Sequence, residues 1–119
     1  MNLYFRRVAL ASLCALSLLS STLAFANYFC SGVVDTVVVN PSGLVMINSS
    51  AAGLANVELC QIGATANGVG PDACNAVLAS VITARTTGQS VTWAFDDGLT
   101  CSTHPQWAWL TGWYFGPQF

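Results

Sequence analysis

Pro71–Gly88, PDACNAVLASVITARTTG, is the stretch on which the fold turns. Cys74, Val77, Leu78, Val81 and Ile82 recur at steps of three and four, the spacing that lays apolar side chains along one helix face. Pro71 suits the first helical position, where its missing N–H costs no bond, and Asp72 meets the positive end of the helix dipole. Gly88 suits the left-handed residue that ends a helix. The pattern predicts a helix over Pro71–Thr87.

On both sides of it the periodicity changes to that of strands. Upstream, Val33–Val39 is a β-branched run interrupted by Asp35 and Thr36, and reads as one strand. Asn40-Pro41-Ser42-Gly43 is turn chemistry, and Leu44–Ile47 reads as the returning arm of a hairpin. Ser49–Gly53 is a small polar loop, Asn56–Ile62 alternates as a third strand, and Gly63–Gly70 shows no periodicity. Downstream, Ser90–Phe95 alternates Val91, Trp93 and Phe95 on one side as a fourth strand, and Asp96-Asp97-Gly98 turns the chain. Trp107–Phe115 is aromatic-rich and is expected to contain a fifth strand. The predicted class is mainly β with one helix, in the order β-β-β-α-β-β of the OB-fold, a five-stranded, partly open barrel.

The chain has 119 residues, 54% hydrophobic and 7% charged, which excludes disorder and leaves room for one sizeable domain. Met1–Ala26 reads as a signal peptide: Arg6 and Arg7 form the basic start, Val8–Leu23 the apolar stretch, and Ala24-Phe25-Ala26 the cleavage signature. Cleavage there leaves residues 27–119 as the expected OB-like domain, secreted or periplasmic and not inserted in a membrane. In that segment Arg85 is the one cation against Asp35, Glu58, Asp72, Asp96 and Asp97. A phosphate-backbone binder needs several Lys or Arg, so nucleic acid is not an expected partner. Solubility must come from hydroxyls and amides, and so thin a charge favours self-association, so a homo-oligomer is expected.

Cys30, Cys60, Cys74 and Cys101 remain once Cys14 leaves with the signal peptide. Four cysteines in a small exported chain point to two disulfides, with three connectivities open to the sequence alone. In the expected barrel the first and fourth strands run antiparallel side by side, so Cys30 and Cys101 can meet. Cys60, ending the third strand, and Cys74, in the first helical turn, can meet as well. No pair has C-x-x-C spacing, so neither a metal site nor any other cofactor is expected.

Catalytic chemistry is poorly supplied. His104 is the single histidine, and nothing near it resembles a nucleophile elbow. Asp96 and Asp97 are neighbours at a turn, where carboxyls point apart, and glycoside hydrolysis needs two carboxyls facing one substrate. No enzyme is expected. The aromatic tail is the better candidate: Trp107 and Trp109 share a face if their stretch is extended, with His104 and Gln106 as flanking hydrogen-bonding groups. Such a surface suits stacking on sugar rings or anchoring another protein; the alternative for these tryptophans is core and subunit interface.

Tyr28-Phe29-Cys30 near the start of the expected domain, the strand-ending Cys60, the helix, and Thr87-Gly88-Gln89-Ser90-Val91 resemble the B subunits of pertussis- and subtilase-type AB5 toxins. The resemblance implies an exported OB-fold protein that forms pentameric rings and binds host glycans. Members of that family tend to carry a sugar-contacting serine just ahead of Tyr-Phe-Cys. Here Ala26 and Asn27 stand there, so no sugar-contacting residue carries across. The expected function is a non-catalytic binding protein similar to a glycan-binding toxin B subunit, with a small periplasmic protein-interaction or inhibitor domain as the alternative.

Overall fold

The computed structural model describes residues 27–119; the predicted signal peptide, Met1–Ala26, lies outside the described residues. The strands are β1 (Tyr28–Val33), β2 (Thr36–Val39), β3 (Leu44–Ser49), β4 (Leu54–Gln61), β5 (Ser90–Phe95) and β6 (Trp113–Gln118). Helix α1 spans Pro71–Thr87 between β4 and β5, and a short 3-10 turn, Ser50–Ala52, links β3 to β4. The class is mainly β with one helix.

The helix forms where its end signals put it. Pro71 opens it after Gly70, and Gly88 closes it in the left-handed region at φ +68°. Cys74, Val77, Val81 and Ala84 are its buried residues, while Ile82, at the rim of the expected face, is 48% exposed. No described helix is long and apolar enough to cross a membrane.

The strands depart from the expected set in two places. The expected first strand, Val33–Val39, takes in only the last residue of β1 and all of β2, with a break at Val34-Asp35, and the rest of β1 lies ahead of it. Val34 is buried, and the Asp35 carboxylate accepts bonds from the backbone N–H and hydroxyl of Ser50 at 2.8 and 2.7 Å. This pull turns the chain, so β1 pairs with β5 and β2 with β3. The expected fifth strand begins inside the aromatic stretch Trp107–Phe115, at Trp113, runs on to Gln118, and pairs with β5. The result is two three-stranded sheets, β1-β5-β6 and β2-β3-β4, all antiparallel, rather than one five-stranded sheet closed on itself.

The 107–110 segment runs between these sheets. Trp107 N–H donates to Asn56 O at 2.8 Å, Glu58 N–H to Ala108 O at 2.9 Å, and Leu110 N–H to Glu58 O at 2.8 Å, a short parallel ladder along β4. Asn67 staples the same junction: its amide Nδ2 donates to Leu59 O at 3.0 Å and to Leu110 O at 2.8 Å. The core lies between the two sheets and beneath α1, with Ile47, Leu54, Val57, Leu59, Val81, Val91, Trp93, Phe95 and Leu110 almost wholly buried.

Two disulfides settle the connectivity: Cys30–Cys101 and Cys60–Cys74, with Cα–Cα distances of 5.5 and 5.6 Å. The first ties β1 to the loop after β5, and the second ties the end of β4 to the first turn of α1. They close loops of 71 and 14 residues in sequence separation, for which chain entropy gives about 4 and about 3 kcal/mol.

Candidate functional site

The four residues singled out in the tail fall in different settings. Trp107 is 66% exposed and adopts φ +56°, a left-handed conformation that a bulky side chain rarely takes. The surrounding structure imposes it. Its N–H is held by Asn56 O, Asn56 is itself left-handed at φ +50°, and three residues on Leu110 is locked in the core. The chain is therefore not extended at Trp107, and strand alternation does not give Trp107 and Trp109 a common face. Trp109 is half-buried at the parallel bridge to Glu58, while Gln106 is exposed beside Trp107.

His104 is turned inward, only 7% exposed. Its Nε2 lies 2.9 Å from the Tyr28 hydroxyl, which donates its single proton to Asp97 Oδ1 at 2.6 Å. Because that proton is committed, Nε2 carries the hydrogen and donates to the phenol oxygen. The other ring nitrogen, Nδ1, is buried without a protein partner. Phe95 covers the cluster, its ring 4.4 Å from His104 and stacked on Tyr28 at 5.1 Å, centroid to centroid. Burial holds the imidazole below the ordinary histidine value, opposed in part by the Asp97 charge. Burial also raises the Tyr28 phenol, with the hydrogen bond and charge of Asp97 adding to it. An enclosed histidine of this kind ties the loop that carries Trp107 to β1 through Tyr28.

Asp97 lies against Gly112, where a Cβ would collide with its side chain, and Oδ1 also accepts the Leu99 N–H at 3.0 Å. Asp96 next to it is exposed, so the two acids point apart. Among the described residues no group of three His, Cys, Asp or Glu side chains is placed to hold a metal ion.

Two further features escaped the sequence reading. On the outer face of the β1-β5-β6 sheet, Phe29, Ala94 and Phe115 stand in register across the three strands. Both phenylalanines are exposed, at 63% and 58%, and flank the buried alanine. Alternation in β1 carried the Phe29 signal, since Cys30 must point inward. A groove of about 540 Å³ also opens between the 63–70 loop, α1 and β6, lined by Asn67, Val69, Ala73, Val77, Trp113 and Tyr114 among others. No family model matches the chain, and none of the curated proteins or solved structures compared with it does so either.

Proposed function

We propose that this chain is an exported, non-catalytic binding protein of OB-barrel type, similar to the glycan-binding B subunits of pertussis- and subtilase-type toxins. The observation that carries the reading is Trp107. A non-glycine residue in the left-handed region costs about 1–3 kcal/mol, and such residues persist where the surroundings over-determine them, often at ligand sites. Here the strained backbone holds a large indole out in water, and the residue before it in sequence, Gln106, is exposed as well. An exposed flat ring suits the apolar face of a sugar, and an exposed neutral amide one residue away suits its hydroxyl rim. The parallel bonds from Trp107–Leu110 to β4 support the barrel, because they bring the last part of the chain from one sheet to the other. Two disulfides support an oxidising compartment outside the cytoplasm.

The test is a glycan screen of the oxidised mature protein at low and high salt. Binding through stacking and neutral hydrogen bonds is expected to change little with ionic strength, because there is no ion pair to screen. Trp107→Ala should abolish it while thermal unfolding stays unchanged, since an exposed side chain contributes little to the core. Binding that survives this substitution, or that disappears at high salt, overturns the reading. The exposed Phe29–Ala94–Phe115 row favours a second reading, a small protein-interaction or inhibitor domain anchored by aromatic side chains. In that case Phe29→Ser and not Trp107→Ala abolishes binding to the partner.

A further inference from the structure

We propose that the groove between the 63–70 loop, α1 and β6 is a separate binding site for a small, uncharged, hydroxyl-bearing ring, such as a single neutral pyranose. Its volume, about 540 Å³, falls within the range of small-molecule sites. Its walls are mainly apolar: Val69, Ala73, Ala76 and Val77 on one side, Trp113 and Tyr114 on the other. Trp113 is held nearly perpendicular to the buried Trp93, at 83° and 5.3 Å between centroids, so one wall is a fixed aromatic plate. Tyr114 is half exposed and brings a hydroxyl to the rim.

Asn67 supplies the directional group. Both of its Nδ2 hydrogens are committed, to the carbonyls of Leu59 and Leu110, which are fully buried residues. The amide nitrogen is thereby fully used, and Oδ1 is the group that Asn67, as a lining residue, can offer to a donor in the groove. A hydroxyl donates to such an oxygen, whereas a carboxylate or phosphate, having only acceptors, is repelled by it. No charged residue lines the groove, so nothing there would offset the desolvation of an ion. Apolar walls, a fixed ring and one acceptor fit a neutral polyol ring and exclude an anion.

This site shares no residue with the Trp107 surface and does not depend on it. The test is a nitrogen-detected NMR titration of the oxidised mature protein with a panel of neutral methyl pyranosides at millimolar concentrations, with N-acetylneuraminate as the anionic control. The expected result is saturable shifts of the Trp113 indole N–H and the Asn67 carboxamide with at least one neutral pyranoside, and none with the anion. Ala76 is exposed on α1, so Ala76→Phe plugs the groove without touching the core, and should weaken binding by roughly tenfold or more, about 1.4 kcal/mol. Trp107→Ala should leave these shifts in place. Absence of shifts with every neutral pyranoside overturns the proposal, as do shifts of equal size with the anion or shifts that persist in Ala76→Phe.

Discussion

Tyr28 carries a single hydroxyl proton between two polar neighbours, and the burial of Tyr28 and His104 gives the fold a pH dependence at both ends. With the proton given to Asp97, His104 is neutral, buried, and without an acceptor for a second N–H. Its value is held below the ordinary 6.5, so the unfolded chain binds the proton first as pH falls. The stability this group contributes is present above pH 6.5 and is lost as pH falls through the folded value. The midpoint of urea unfolding should therefore drop between neutral pH and pH 5, and His104→Gln should flatten that slope, since an amide can still donate to Tyr28 and does not titrate. At the alkaline end the sign reverses. Tyr28 is raised above 10, so its contribution is present below pH 10 and lost as pH rises through the folded value. Tyr28→Phe should remove the alkaline arm, leave the acid arm set by the burial of His104, and cost about 1–3 kcal/mol, by leaving the His104 N–H without its buried acceptor. An unchanged alkaline limb in that variant would refute the cluster. None of this was legible in the sequence, because Tyr28 and His104 are 76 positions apart and meet only once β1 pairs with β5.

At the scale of elements, legibility followed how local the cause is. Helix α1 and strand β5 have the ends read for them, because Pro71, Asp72, Gly88 and the Val91-Trp93-Phe95 alternation act on their own neighbours. The break at Val34-Asp35 was missed because Asp35 is captured by Ser50, fifteen residues on, which no window over Val33–Val39 contains. The last strand occupies only the end of the stretch read for it, and runs past it, for a similar reason. Trp107–Leu110 bonds in parallel to β4, and only after Gly112 does the chain return to pair with β5. Two glycines test this account. Gly88 and Gly112 are both left-handed, at φ +68° and +76°, but a Cβ at Gly88 meets open space, while one at Gly112 runs into the Asp97 side chain. Gly88→Ala should therefore cost only the conformational penalty, about 1–2 kcal/mol. Gly112→Ala adds the clash, so its loss should be larger and should be accompanied by disturbance of the Tyr28–Asp97–His104 cluster. Equal losses, measured by chemical denaturation, would mean that Asp97 moves aside freely.

Over the whole molecule, the composition leaves the surface with little charge to keep copies apart. Arg85 is the one cation in residues 27–119, and the largest exposed side chains are aromatic: Phe29, Trp107, Tyr114, Phe115 and Phe119. Four of these lie on or beside the β1-β5-β6 sheet, whose β6 edge has no strand beyond it, whereas Trp107 lies at the β4 ladder. Self-association through that sheet would cover apolar area and still leave the Trp107 ring in solvent, as a glycan-binding ring of subunits requires. Light scattering on the oxidised mature chain should then give a native mass of several protomers, near five if the likeness to toxin B subunits extends to assembly. Phe29→Ser with Phe115→Ser should reduce it to one protomer without lowering stability, because both rings are already exposed in the single chain. A wild-type mass of one protomer at concentrations where the double variant has the same mass would remove the ring and leave the Phe29–Ala94–Phe115 row free for a different protein. A large mass that the double variant retains would place the subunit contact elsewhere, with the half-buried Trp109 and the free edge of β2 as the next surfaces to alter.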